Sequence, residues 1–151
     1  MTRDDILKKI QIKFGGRIRK IFDRSPKRIY CDIDKNDIPE VVRFVFMDLG
    51  ARFSIASGVD TPDGIEILYH FSFDRLGLVF SLRTILDGRN PEIESITPLM
   101  KGAEWIEREI HELLGVEFKN HPNMKPLLLP DDWPKDKFPL RRDFVQDIDK
   151  E

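Results

Sequence analysis

The chain has 151 residues, of which 40% are hydrophobic and 34% are charged, with a net charge of −2. These values are typical of one globular domain and exclude a disordered or fibrous protein. The slight acidity argues against nucleic-acid binding, and no apolar run approaches the roughly 20 residues that cross a bilayer. The start, "MTRDDILKKIQI", lacks the apolar centre of a signal peptide. Because Cys31 is the single cysteine, no disulfide is expected, and the predicted location is the cytoplasm.

The first third of the chain predicts two helices with two strands between them. Apolar residues spaced by three and four from Asp4 to Ile12 predict a helix that ends at Gly15-Gly16. The segments "RIRKIF" and "RIYCDI" predict two strands. A second helix, capped by Asp34 or Asn36, is expected to run through Leu49, because Gly50 is a suitable C-terminal cap.

The middle of the chain predicts three consecutive antiparallel strands. Their connections, "DTPDG" and "DRLG", contain the proline, aspartate and glycine of tight turns. Alternation assigns one apolar face to each strand. In order, these faces are formed by Phe53, Ile55 and Val59; by Ile65, Ile67, Tyr69, Phe71 and Phe73; and by Leu78, Phe80 and Leu82. The next segment, "DGRNPEIESITPLMKGA", is expected to be a loop with a short helical turn at most.

The last third predicts one more helix, from about Ala103 to Gly115, followed by a long tail. Residues 119–151 hold five of the ten prolines and no clear periodicity, yet they also carry several large apolar residues. A plain solvated linker would lack these apolar residues. The sequence therefore predicts an α+β fold: a compact domain, 1–118, with helices on a mixed or antiparallel sheet, and an extended tail, 119–151, that lies along its own surface or a partner's.

The last predicted helix contains one carboxylate in an unusual place. Its apolar face is predicted to include Trp105, Ile106, Ile110, Leu113 and Leu114, and Glu109 falls between Trp105 and Leu113. A buried carboxylate needs a partner or takes up a proton. The candidate partners are Arg141, Arg142 or an arginine of another protein. Glu107 lies at the border of the same face, beside Leu114.

Four interpretations of this helix stay open. Glu109 could act as a general acid or base, although no nucleophile or second catalytic carboxylate accompanies it. Glu107 and His111, four residues apart, could bind a metal together with His121, although "HELLG" lacks the second histidine of a zinc-protease helix. Glu109 could form a buried salt bridge within the chain, or it could anchor an interface. The corresponding enzyme hypothesis is a stand-alone metal-dependent hydrolase that uses Glu107, Glu109, His111 and His121.

A specific motif runs from this helix into the tail. It consists of Glu107-Arg108-Glu109, Glu112, Leu113-Leu114, His121, Lys125 and Leu127-Leu128. The order and spacing resemble the signature of the 30 kDa subunit of respiratory complex I, a family that includes the matching subunit of membrane-bound energy-converting nickel–iron hydrogenases. The tail segment "FPLRRDF" is similar to the family's His-Pro-Leu-Arg-Lys-Asp-Tyr, with Phe138, Arg142 and Phe144 at the three positions that differ.

The resemblance implies a non-catalytic assembly subunit in the cytoplasmic peripheral arm of a membrane-bound oxidoreductase. Its partners would be the large catalytic subunit and a neighbouring iron–sulfur subunit, with only an indirect link to the membrane. No cofactor is expected in this chain, while the parent complex would carry iron–sulfur clusters, with or without a nickel–iron centre. The short chain favours a hydrogenase-like or ferredoxin-linked complex; the alternative is complex I proper, of the NADH or F420H2:quinone type. The residues expected to contact the partner are Glu107, Arg108, Glu109, Glu112, His121, Pro122, Leu128, Trp133, Leu140, Arg141, Arg142, Asp143 and Phe144.

Overall fold

The computed structural model describes residues 1–146; residues 147–151, the end of the predicted tail, lie outside the described part. The elements in chain order are α1 (Arg3–Phe14), β1 (Ile18–Ser25), β2 (Arg28–Ile33), α2 (Ile38–Arg43), β3 (Arg52–Thr61), β4 (Gly64–Phe73), β5 (Leu78–Leu86), β6 (Glu92–Glu94), α3 (Glu104–Leu114) and β7 (Glu117–Lys119). A 3-10 turn, Lys35–Asp37, precedes α2, and a π-helical turn, Phe44–Asp48, follows it. The predicted α+β fold class is confirmed.

The main sheet has five strands in the order β1-β2-β5-β4-β3. All neighbouring strands are antiparallel except β2 and β5, which are parallel. The predicted antiparallel arrangement of β3, β4 and β5 is therefore confirmed. The chain leaves β2, forms α2 and the outer strands β3 and β4, and then returns to place β5 against β2.

A second sheet was not predicted. Strands β6 and β7 pair in parallel, with Ile93 opposite Phe118, and each strand is three residues long. Strand β6 lies in the segment that was predicted to be a loop, and both Ile93 and Phe118 are buried. Strand β7 extends through Lys119, one residue beyond the predicted boundary of the compact domain. The small sheet therefore connects the segment before α3 with the segment after it.

The hydrophobic core joins one face of the main sheet to the three helices. In β4, the predicted inward-facing residues from Ile65 to Phe73 are all buried, and Phe80 and Leu82 of β5 are fully buried beside them. The helices contribute buried residues at helical spacing to the same cluster: Ile6, Ile10 and Phe14 from α1, Ile38, Val41 and Val42 from α2, and Ile110 and Leu114 from α3. This arrangement fixes α3 against the sheet.

The predicted inner face of β3 is wrong. Ile55 and Val59 are each 51% exposed, whereas Ala56 is buried. The pairing of β3 with β4 is irregular between Phe53 and Ile55, so the strand carries one extra residue there. A β-bulge of this kind moves every later side chain to the opposite face.

Candidate functional site

Helix α3 has the bounds that the sequence predicted, and its C-terminal end is capped by Gly115. This glycine has a φ of 75°, and its N–H donates to the carbonyl of His111 over 2.9 Å. The inner side of the helix packs against β3 at Gly58, where an added Cβ would lie 2.7 Å from Leu114 Cδ1 and 3.3 Å from Ile110 Cγ2. The small residue therefore allows the helix to approach the strand closely.

Glu107 is the buried carboxylate of α3, with no exposed surface. Its Oε1 accepts hydrogen bonds from the Ser95 hydroxyl at 2.8 Å, from the Thr97 backbone N–H at 3.0 Å and from the Thr97 hydroxyl. Burial raises the pKa of Glu107, and the hydrogen bonds from Thr97 and Ser95 offset part of that shift. Within residues 1–146, Glu107 Oε2 and the buried Tyr69 hydroxyl have no hydrogen-bond partner.

The prediction that Glu109 is buried in the apolar face is wrong for the chain alone. Glu109 is only half-buried, and it makes no hydrogen bond or ion pair with any residue in 1–146. The error came from including Trp105, which is 68% exposed, in the apolar face. The buried side of the helix is centred near Leu114 instead, so Glu107 points inward and Glu109 lies toward the rim.

Arg108 and Glu112 bind the backbone of the chain's own tail. The Arg108 guanidinium donates to the carbonyls of Lys125 and Pro126, both at 2.9 Å. The Glu112 carboxylate accepts from three consecutive backbone N–H groups, those of Leu127 at 2.8 Å, Leu128 at 2.9 Å and Leu129 at 3.3 Å. A positive and a negative side chain, one helical turn apart, thus hold successive carbonyl and amide groups of one extended segment.

His121 fixes the path of the chain from β7 into the tail. Its Nδ1 accepts from the backbone N–H of Asn123 at 3.0 Å, so its Nε2 carries the proton that is donated to the carbonyl of Glu104 at 3.1 Å. The Asn123 amide also donates to the Glu104 carboxylate at 3.2 Å. Pro122, between these two anchors, is exposed. The His-Pro pair therefore shapes the turn that leads back to the start of α3.

The "PLRRD" segment binds the C-terminal end of α3. The backbone N–H of Leu140 donates to the carbonyl of Leu113, and the Arg141 guanidinium donates to the carbonyls of Leu114, at 2.5 Å, and Gly88, at 2.9 Å. The backbone N–H of Arg142 donates to the Asp60 carboxylate at 2.9 Å. Arg141 thus satisfies a carbonyl at the helix end, where none of the helix's own N–H groups remains to bind it. Neither arginine pairs with Glu109.

The other predicted tail residues are held less tightly. The rings of Trp133 and Phe144 stack with centroids 6.2 Å apart, and the Trp133 Nε1–H donates to the carbonyl of Lys137 at 2.7 Å. Asp143 is exposed. The ring of Phe138 covers Gly115, where an added Cβ would lie 2.7 Å from the ring.

Four exposed large apolar side chains lie on α3 and the tail, while others, such as Ile12 and Met47, lie elsewhere on the chain. We call Trp105, Leu128, Leu140 and Val145 the α3–tail surface; they are 68%, 59%, 57% and 76% exposed, respectively. Leu128 and Leu140 are attached to α3 through their backbone N–H groups, as described above. Large side chains held on an ordered backbone and open to solvent are typical of a surface that binds another protein.

The four residues of the hydrolase hypothesis do not form one cluster. Glu107 binds the hydroxyls of Ser95 and Thr97, His121 binds the Glu104 carbonyl, and His111 Nδ1 donates to the Val116 carbonyl at 2.8 Å. Glu109 stands apart at the rim. In the part of the chain from 1 to 146, no group of three or more His, Cys, Asp or Glu side chains is arranged to hold a metal ion. Over the same residues, no helix has the length and apolar character of a membrane span.

Sequence reasoning missed Ser95 and Thr97, which are the partners of Glu107. Both are buried polar residues in the segment just before α3. The available signal was the pair of hydroxyl residues in "ESIT", ten and twelve positions before a glutamate at the border of an apolar helix face. Hydroxyls that flank such a segment can solvate a buried carboxylate without any cation.

Comparison with solved structures identifies the fold. The chain is similar to a chain in the structure of the membrane-bound sulfane sulfur reductase, an archaeal respiratory membrane complex, with a TM-score of 0.83 and 23% identity over 94% of this chain and 85% of that one. It is also similar to a trypsin-resistant fragment (1–134) of Nqo5, with a TM-score of 0.67 and 19% identity over 82% of this chain and 99% of that one. At these identities the likeness concerns the fold alone.

Comparison with curated proteins identifies the family. The chain is 38% identical to a subunit of the F(420)H(2) dehydrogenase of Methanosarcina mazei, over 95% of this chain and 92% of that protein. It is 31% identical to a subunit of the NADH-quinone oxidoreductase of Chloroherpeton thalassium, of which it spans 60%. It is 34% identical to formate hydrogenlyase subunit 5 of Escherichia coli, of which it spans 22%. Residues 31–150 match the family described as respiratory-chain NADH dehydrogenase, 30 kDa subunit. The chain belongs to this 30 kDa subunit family.

Proposed function

We propose that this chain is a non-catalytic assembly subunit in the cytoplasmic peripheral arm of a membrane-bound, multi-subunit oxidoreductase. It docks on the large catalytic subunit and touches a neighbouring iron–sulfur subunit, and it reaches the membrane only through them. The chain itself carries no cofactor, whereas the parent complex carries iron–sulfur clusters, with or without a nickel–iron centre. The names of its relatives support this assignment, because they are subunits of a dehydrogenase, of quinone oxidoreductases and of a formate hydrogenlyase.

The observation that carries the proposal is the α3–tail surface. Its four large apolar side chains are each more than half exposed. Burying such side chains in an interface releases roughly 25 cal/mol for each Å² of apolar area. The tail that carries three of them is already attached to α3 by Arg108, Glu112 and Arg141, so docking on a partner would order little additional backbone.

The parent complex has two candidates: a hydrogenase-like or ferredoxin-linked complex, and complex I proper, of the NADH or F420H2:quinone type. The chain matches the relative from the F(420)H(2) dehydrogenase over nearly the full length of both proteins, but it spans only 26% of hydrogenase-4 component G and 22% of formate hydrogenlyase subunit 5, both of Escherichia coli. The 38% identity to the F(420)H(2) dehydrogenase relative, over nearly its full length, favours an F420H2-type complex, one form of the complex I alternative, over a hydrogenase-like or ferredoxin-linked one. The two candidates share the docking role and differ in the identity of the large subunit.

The stand-alone hydrolase is the alternative from another functional class. It requires bound metal in stoichiometric amount, or hydrolytic activity, in the isolated chain. Metal analysis of the purified chain by mass spectrometry tests this directly. We expect less than one metal ion for every ten chains, and a stoichiometric metal would favour the hydrolase.

The experiment that tests the docking role is purification of the tagged full-length chain from its host's membranes in a mild detergent, with identification of every co-purifying protein. We expect a large catalytic subunit, an iron–sulfur subunit and membrane subunits. The double variant Leu128→Asp, Leu140→Asp should recover far less of these proteins, since both changes place a charge in the proposed interface. The control is Ile12→Asp, at an 85% exposed position in α1. Recovery of the chain without partners would refute the assembly role.

A further inference from the structure

Trp105 and Glu109 form a pair on the exposed side of α3. They are four residues apart, so their side chains are neighbours on the helix surface. Trp105 is 68% exposed, and neither its indole nor the Glu109 carboxylate forms a hydrogen bond, ion pair or ring contact with any residue in 1–146. An aromatic face and a carboxylate are therefore both available to a ligand, side by side.

The other charged groups of α3 already have partners within the chain. Glu107 accepts from Ser95 and Thr97, and Glu112 accepts from the tail backbone. The Glu104 carboxylate accepts from Asn123, and the Arg108 guanidinium donates to two tail carbonyls. The charge that remains free on this side of the helix, among residues 1–146, is thus the negative charge of Glu109.

We propose that Trp105 and Glu109 together bind an arginine side chain of the partner protein. The guanidinium would stack on the Trp105 indole and donate hydrogen bonds to the Glu109 carboxylate. This inference rests on the proposed docking function and names the chemistry of one contact within it. The half-buried side chains of Ile106 and Leu113 lie beside Glu109, on one side of the pair, and would help to exclude water from the contact.

The pair fits arginine better than the other groups that carry a positive charge. A planar guanidinium can stack on an indole and present a fork of N–H groups to a carboxylate at the same time, whereas a lysine ammonium is a compact, strongly hydrated charge. A metal ion would need further carboxylate or histidine ligands, and the neighbouring carboxylates already accept hydrogen bonds within the chain. Helical spacing and charge therefore point to the same ligand.

The test is competition for assembly inside the host. The wild-type chain and a variant, with different tags, are expressed together, and their ratio in the purified complex is divided by their ratio in the cell. We expect Glu109→Lys to lower this ratio about 30-fold, because it removes the carboxylate and repels the arginine. Trp105→Ala should lower it about tenfold. The matched control is Glu117→Lys, an exposed glutamate in β7, for which a change of about twofold or less is expected.

The outcomes separate this inference from the docking role. If the wild-type chain recovers its partners but Glu109→Lys assembles as well as Glu117→Lys, the arginine contact is refuted and the docking role stands. If the wild-type chain recovers no partner, both fail together. Thermal unfolding of the isolated chain is a further control, and Glu109→Lys should leave its Tm unchanged. A large decrease in Tm would show that Glu109 stabilises the domain itself, and it would overturn the inference. Cross-linking then identifies the partner arginine, and replacing it with glutamate should restore assembly of Glu109→Lys.

Discussion

The attachment of residues 127–129 to α3 is expected to depend on one carboxylate, that of Glu112. Glu112→Ala removes the acceptor of the backbone N–H groups of Leu127, Leu128 and Leu129, of which the first two donate over the shorter distances, 2.8 and 2.9 Å. A hydrogen bond to a charged group contributes about 1.5 to 3 kcal/mol when it is shielded, and solvent screening at this partly exposed site reduces each to about 1 kcal/mol. The two shorter bonds therefore hold this segment by about 2 kcal/mol, which corresponds to a factor of about 30 in local opening.

Amide hydrogen exchange, followed by NMR, measures this opening residue by residue. We expect exchange at Leu127 and Leu128 to become about 30-fold faster in Glu112→Ala, while core amides such as that of Tyr69 keep their rates. The matched control is Glu109→Gln, on the same helix but without a partner in 1–146, and it should leave the tail rates unchanged. Unchanged exchange at Leu127 and Leu128 in Glu112→Ala would show that the carboxylate does not hold the tail.

Two further predictions concern the buried carboxylate and the end of α3. Burial raises the pKa of Glu107, so its contribution to stability is fully present below the unfolded pKa of about 4.5 and is lost as the pH rises through the folded pKa. Glu107→Gln should remove this loss. In urea unfolding, the free energy of unfolding should therefore decrease less between pH 5 and pH 7 in Glu107→Gln than in the wild type. An equal decrease would contradict the raised pKa of Glu107. Gly115→Ala should destabilise the chain by about 1 kcal/mol more than Gly77→Ala. Both glycines have positive φ, but only Gly115 is covered by the Phe138 ring. Equal losses in urea unfolding would show that this ring does not pack on the helix end.

Periodic segments were predictable from the sequence because a single repeating pattern determines both their type and their inner face. Helix α1 and strand β4 follow such patterns, and Ile6 and Ile10 of α1 and Ile65 to Phe73 of β4 are buried at the predicted spacing. In β5, Leu78, Phe80 and Leu82 are buried as predicted, but Ser81 between them is buried as well. The end of α3 was also predictable, since Gly115 tolerates the left-handed conformation that terminates the helix.

The failures have two physical causes. The extra residue near Ser54 reverses the faces of β3, and alternation cannot reveal such a bulge in advance. Strands β6 and β7 are too short to show a period, and they pair across the whole of α3. Contacts between distant segments are set by the assembled fold, so the pairing of β2 with β5 was equally hidden.

The prediction placed Glu109 in the buried face of α3, whereas Glu107 is the buried glutamate, and the difference shows the limit of a helical wheel. Both glutamates lie near the edge of the apolar face, and counting the large Trp105 as part of that face extended the predicted edge past Glu109. The actual inward position of Glu107 depends on Ser95 and Thr97, which a wheel of α3 alone does not contain. A carboxylate can be buried without a cation when hydroxyl and backbone N–H groups donate to it. Their hydrogen bonds lower the pKa of Glu107, but burial has the larger effect and raises it.

Most polar residues of the motif that carries the family resemblance form hydrogen bonds within the folded chain. Glu107 fixes α3 to the segment before it, Arg108 and Glu112 bind the tail backbone, and His121 directs the turn between them. Glu109 is the member of the Glu-Arg-Glu triplet without such a contact in residues 1–146. Because the internal contacts order the tail before any partner arrives, docking would lose little backbone entropy, and the free side chains would meet the partner in fixed positions. Most of the motif's charged residues therefore hold α3 and the tail together, whereas the side chains of Glu109 and Leu128 stay available for the proposed partner.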